Sequence, residues 1–108
     1  MESILTSIKK LLGISEEYEQ FDKDLIVHIN SVFLILNQLG VGPSEGFFIY
    51  DDTAIWDDFL EGANIELVKS YMYLKVKLLF DPPLSSAVIE ANNRMISEFE
   101  WRLNVAVD

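Results

Sequence analysis

The sequence predicts an all-α fold: a small helical bundle of about four to five helices, with a short extended aromatic segment in a long loop. Three observations lead there. Apolar residues recur at helical spacing along most of the chain. Glycine and proline gather between the periodic stretches, at 40–46 and at 82–83, where helices must stop. And 108 residues, half of them apolar, suffice for one core, while only one short run has strand-like composition. The chain therefore reads as a single domain over 1–108, with a loop and short helix at 40–63 and a C-terminal tail at 101–108.

Residues 3–14 place Ile4, Leu5, Ile8, Leu11 and Leu12 on one face of a short helix that stops near Gly13, with Ser7, Lys9 and Lys10 on the opposite face. Barely three turns and two cations suit packing on the domain body or on a neighbour better than lying on a membrane. Ser15 to Gln20 is an acidic, aperiodic link carrying Glu16, Glu17 and Glu19. The next helix spans 22–39. Phe21, Leu25, Ile26, Ile29, Val32, Phe33, Leu36 and Leu39 keep the helical period, Gly40 supplies the stop, and the wide apolar face marks a central helix with at least two neighbours.

From 40 to 63 the chain turns repeatedly. Phe47-Phe48-Ile49-Tyr50 is too short to promise a sheet within one chain and is placed against a neighbouring subunit. Thr53 or Asp52 caps a short helix over 54–60, with Ile55, Trp56, Phe59 and Leu60 on one face. Asn64 is the expected N-cap of a helix reaching Phe80, where Asp81-Pro82-Pro83 ends it. Ser85 or Ser86 starts a last helix over 86–103. Its inner face is Val88, Ile89, Asn92, Met95, Ile96, Phe99 and Leu103, and Glu90, Arg94, Glu98 and Arg102 stand outside at i,i+4 spacing. The tail 104–108 alternates apolar and polar residues weakly.

Composition removes several classes of function. With no cysteine, disulfide scaffolds, thiolate metal sites and thiol catalysis are excluded. No apolar run approaches the ~20 residues of a membrane span, and Met1 to Leu5 lacks a basic, then apolar, leader pattern. A cytoplasmic soluble protein with no membrane partner is the expectation. Eighteen acids against eight bases give a net charge of −10, which repels phosphate backbones, so tight direct binding of nucleic acid is not expected.

No catalytic, cofactor-binding or metal-ligating residue is assigned. His28, the single histidine, has no nucleophile or orienting group in its neighbourhood of sequence. Asp51-Asp52 and Asp57-Asp58 lack the pattern of a calcium loop and read as solvated carboxylates. Gly40-Val41-Gly42 follows a helix and precedes proline, so it is a turn and not a phosphate cradle. Trp101, Leu103, Val105 and Val107 make an apolar end that either packs on the domain or meets a partner.

The order of the pieces adds a resemblance. It comprises a short N-terminal helix, an acidic link, Phe-Asp-x-Asp-Leu-Ile-Val-His-Ile-Asn-Ser-Val-Phe at 21–33 and Gln38-Leu39-Gly40-Val41-Gly42. Trp56-Asp57-Asp58-Phe59-Leu60, Lys75 to Pro83 with its Asp-Pro-Pro break, and Glu98-Phe99-Glu100-Trp101-Arg102-Leu103-Asn104 complete it. Together these resemble the small head-tail connector (adaptor, or head completion) proteins of tailed bacteriophages over nearly the whole chain. The resemblance implies an all-helical structural protein of the virion neck, assembled in the bacterial host cytoplasm. It would form a homo-oligomeric ring of about twelve copies that docks under the portal protein and presents a surface to the next neck or tail-completion protein. DNA would pass through the centre without specific binding, and the chain's own acidic excess suits a lumen lined by carboxylates, which repel phosphate.

Within that reading Phe47, Phe48, Ile49, Tyr50, Trp56 and Phe59 are the subunit-interface candidates. Trp101, Leu103, Val105 and Val107 are the portal-docking candidates, and deletion after Glu100 is expected to leave folding largely intact while abolishing attachment. The alternative is a small acidic helical regulatory module that binds another protein through the same faces. An enzyme, with only a carboxylate-metal site to propose, ranks behind both.

Overall fold

A computed structural model describes residues 2–62 and 64–107, the side chains of Ala106 and Val107 excepted. Five helices run through them: α1 (Ile4–Leu11), α2 (Asp22–Gln38), α3 (Trp56–Phe59), α4 (Ile65–Phe80) and α5 (Ser86–Val107). The all-α expectation holds. The described residues contain no strand, only one isolated antiparallel bridge between Ser3 and Ile55.

Local sequence explains most of the boundaries. The Ser3 hydroxyl accepts the Thr6 N–H at 3.2 Å and caps α1. α1 and α2 end in the same Schellman motif. Gly13 and Gly40 take φ of 81° and 83°. The Gly13 and Ile14 amides donate to the Lys10 and Lys9 carbonyls, as the Gly40 and Val41 amides do to those of Asn37 and Leu36. Asp22 and Asp24 sit in the first turn of α2, where the helix dipole favours them. The proline pair ends α4 as expected, and the Ser85 hydroxyl accepts the Val88 N–H at 3.4 Å, making Ser85 the residue that restarts the chain.

Two boundaries and one cap differ from expectation. α3 is shorter than 54–60 and is not capped by Thr53 or Asp52. The Asp51 carboxylate instead holds Thr53 through its hydroxyl (2.6 Å) and its amide (2.9 Å), closing an Asx turn, and Asp58 accepts the Ile55 N–H at 3.2 Å. Asn64 occupies the position before α4 but makes no side-chain capping bond. α5 does not stop at 103; it continues to Val107, so the tail follows a 3.6-residue period and not an alternating one.

α4 lies between α2 and α5, and α1 packs on α2, so the long α2 has two helical neighbours as its wide apolar face requires. The loop from 41 to 52 lies along α2, with Phe47 against Phe33. The Asn30 amide donates to the Ile49 carbonyl at 2.9 Å and accepts the Ile49 N–H at 2.8 Å, pairing with the loop as a second strand would. The result is a slab of 39 × 36 × 20 Å.

The core joins Ile4 and Ile8 of α1, Leu25, Ile29, Val32, Phe33 and Leu36 of α2, and Val68, Tyr71, Met72 and Val76 of α4. Val41, Ile49, Trp56 and Phe59 enter it from the loop and α3. Gly42 is fixed by two constraints at once: its φ is +86°, and a Cβ there would overlap the Phe59 ring.

α1 is less simply amphipathic than its sequence suggests. Ser7 and Lys9, expected on an outer polar face, are buried. The Ser7 hydroxyl accepts the Trp56 indole N–H at 2.9 Å and donates to the Ile4 carbonyl. The Lys9 ammonium reaches the Glu16 carbonyl (3.0 Å), the Tyr18 carbonyl (2.7 Å) and the Asp22 carboxylate (2.9 Å), so its three protons each have an acceptor. A buried lysine is tolerated only when satisfied in this way, and the effect is to staple the acidic 15–20 link to both α1 and the start of α2.

Candidate functional site

The described surface carries exposed apolar side chains on the 41–52 loop and along α5. No three His, Asp or Glu side chains among the described residues come together as a metal site requires. His28 lies 6.5 Å from the Phe80 ring, half-buried on α2. The exposed Asp51 carboxyl is held below its usual range by the Thr53 hydroxyl and amide, and Glu17 likewise by the Ser15 hydroxyl at 2.6 Å. These are turn-forming contacts.

The sequence-derived interface set divides in two. Ile49, Trp56 and Phe59 are 1%, 2% and 5% exposed, and Phe47 stacks edge-on against Phe33 and Phe59, with ring centroids 5.0 and 5.4 Å apart. These four belong to the subunit's own core, which corrects their assignment to a contact between subunits. The reason is α2: its Phe33 collects the loop aromatics that composition alone left unpartnered. Phe48 and Tyr50 remain outside, 48% and 84% exposed. In an extended segment neighbours point opposite ways, so burying Ile49 turns both of them outward.

The C-terminal set divides for a different reason. On a helix Trp101 and Val105 share a face, and they are 66% and 49% exposed. Leu103 falls on the opposite side and is 1% exposed, packed into the core. Leu103 is thus a core residue and not a docking residue, and deletion after Glu100 would remove part of the core. The Val107 side chain lies outside the described residues. Beside Trp101 and Val105, Arg102 and Glu98 form an ion pair at 2.7 Å.

Sequence reasoning missed a groove between α1, α4 and α5. It has a volume of about 750 Å³, and Leu11, Tyr73, Leu74, Met95 and Phe99 give it an apolar floor. Its origin is α5. Of the residues expected on that helix's inner face, Ile96 and Leu103 are buried, whereas Val88 and Met95 are each 46% exposed. α5 is held against α4 by the Tyr71 hydroxyl, which donates to the Glu100 carboxylate at 2.7 Å. Burial pushes that phenol far above its ordinary pKa, so it stays a donor. The helix therefore leans on α4 along one line and leaves an apolar flank open. The sequence signal was present in its apolar positions, which span a wider arc than one neighbouring helix covers.

Charge is segregated in the same way. Residues 1–62 carry twelve acids and three bases, whereas 64–107, the α4–α5 hairpin, carry five of each. The acids concentrate in two segments, 16–24 and 45–61, and all of them but the half-buried Asp22 are exposed. The hairpin side is neutral and apolar.

The described residues thus form a flat helical bundle with exposed apolar side chains on the 41–52 loop and along α5, and with acidic segments before α2 and around α3. The chain matches the family described as phage connector protein over residues 4–108, and it belongs to that family. No curated protein and no solved structure matches it. The family is one of structural proteins of the phage particle, whose members interact with other head and tail proteins. No helix among the described residues is long and apolar enough to cross a membrane.

Proposed function

We propose that this protein, acting as one connector domain over 1–108, forms a homo-oligomeric ring of about twelve copies. The ring docks on the portal, joins the DNA-filled head to the tail-completion proteins, and leaves a passage for DNA through its centre. It is not an enzyme, takes no cofactor and is assembled in the host cytoplasm before it becomes part of the virion neck. Membership of the connector family over 4–108 carries this reading. Two features of the surface support it. A subunit with two lateral neighbours needs two different faces, and the exposed pair Phe48 and Tyr50 on the loop and the open flank of α5 with Val88 and Met95 are two such faces. Docking on the portal uses the exposed pair Trp101 and Val105 on α5.

Mixing the protein with portal rings of the same phage and imaging the product by electron microscopy tests the reading. The expected result is an added, stacked layer of about twelve subunits. A compact monomer or dimer with no added density at high concentration would favour the regulatory module instead.

The passage for DNA is lined by the 16–24 segment. Glu16, Glu17 and Glu19 are exposed and form no ion pair among the described residues, so they repel phosphate and let the duplex slide. Glu16→Lys with Glu19→Lys reverses this charge at positions whose side chains hold no part of the fold. DNA ejection from particles carrying both is expected to slow, as read by the rate of genome release in vitro. An unchanged rate overturns the lining.

A further inference from the structure

We infer that α5 is a hinged arm: it opens from α4 as a unit while α1 to α4 stay folded, and the hydrogen bond between Tyr71 and Glu100 is its latch. The opening itself does not depend on the ring reading.

The core is shared unevenly. Among the described residues, Ile96 and Leu103 are the buried side chains of α5, whereas every other buried apolar residue, from Ile4 to Val76, lies in α1 to α4 or in the loop between α2 and α3. Half-buried Ile89, Asn92 and Phe99 complete one seam at three- and four-residue spacing, and α4 is the helix that α5 packs along. Between α5 and α1 lies the groove of about 750 Å³, so α1 does not brace the arm. Undocking α5 therefore uncovers one seam and leaves the convergence of α1, α2, α3 and α4 intact.

Polar ties to the body are as few. Among the described residues, the side-chain hydrogen bonds that join α5 to the rest are Tyr71 to Glu100 at 2.7 Å and a long, exposed one from the Asn104 amide to the Leu39 carbonyl at 3.4 Å. The ion pair of α5, Arg102 with Glu98, lies within the helix. The connection also permits the motion. Pro82 and Pro83 have no N–H to donate, and residues 82–84 take part in no backbone hydrogen bond. The neighbouring bonds, from the Asp81 N–H to the Lys77 carbonyl and from the Ile89 N–H to the Ser85 carbonyl, each stay within one side of the hairpin. Turning about 82–84 breaks none of them, and Leu84 is fully exposed. With 22 residues, α5 exceeds the ~12–15 below which an isolated helix is marginal, so the open arm keeps helical content and exchanges its amides by fraying. Opening carries Trp101 and Val105 with the arm; that consequence for docking rests on the portal reading.

Native-state amide hydrogen exchange on the free chain, followed across low urea concentrations, is the test. Amides in 92–103 are expected to exchange at least about tenfold faster than those in 29–36 and 68–76, with a weaker dependence on urea because arm opening exposes less surface than unfolding. Two variants separate arm opening from global unfolding. Ile29→Val, at a fully buried position of α2, weakens the body in the closed and open states alike. It should speed exchange in α2 by about threefold to tenfold and leave α5 unchanged. Tyr71→Phe removes the latch and should speed exchange in α5 by about tenfold or more. Equal protection of α5 and α2, or acceleration of both by the same factor in Ile29→Val, overturns the arm, because α5 then opens only with the whole domain. Unchanged exchange of α5 in Tyr71→Phe overturns the latch.

Discussion

Replacing Trp56 by alanine is expected to destabilise the protein by about 3–5 kcal/mol, lowering Tm by roughly 12 °C or more in a domain of this size. Three connections meet at this residue. Its ring is 2% exposed and packs 6.4 Å from the centre of Phe33 on α2. Its indole N–H donates to Ser7 on α1, and its backbone N–H donates to the Glu2 carbonyl at 3.3 Å. Lys69 of α4 lies 6.0 Å over the ring. Removing the side chain therefore opens a cavity where α1, α2, α3 and α4 converge, and few of those groups can close it without moving a helix. Trp56→Phe keeps most of the apolar contact and loses mainly the hydrogen bond, a net cost nearer 1–2 kcal/mol. Thermal and urea denaturation of both variants would check the pair. A loss below about 1 kcal/mol for the alanine variant would mean that Trp56 is not the hub of this core.

The second large effect concerns attachment and not stability. Trp101→Asp combined with Val105→Asp is expected to weaken binding to portal rings by about thirtyfold or more, the scale of losing one central aromatic anchor. Tm should move by only a few degrees, because both side chains are about half exposed or more on the outer face of α5. Titration against immobilised portal and a melting curve on the same sample separate the two outcomes. Truncation after Glu100 does not separate them, since it also removes the buried Leu103. Retained attachment in the double variant would remove α5 from the portal contact.

The helices were legible because the information that makes them is local. Ser3, Gly13, Gly40, the proline pair and Ser85 act on amides and carbonyls within a few residues of themselves, and the apolar period of α2 states its own burial. Where a boundary was misread, a local competitor stood beside the expected residue: Asp51 held Thr53 before it could cap α3. The candidate sites were less legible. Phe47 and Phe48 are the same residue type one position apart, and no property of the sequence says which of them meets Phe33.

By itself, the sequence determined the all-α class, the five helical segments within a few residues, the turns between them and the connector-type pattern that runs along nearly the whole chain. Only the tertiary structure decided which aromatic and apolar groups stay free. α2 drew Ile49, Trp56 and Phe59 inward and turned Phe48 and Tyr50 out. The helical continuation of α5 set Trp101 and Val105 apart from Leu103. Lys9 was taken from the surface to staple a loop, and the lean of α5 on α4 opened a groove. Helix periods and caps depend on neighbours a few residues away, whereas burial depends on which distant segment arrives to cover a face, and that is settled only when the whole chain packs.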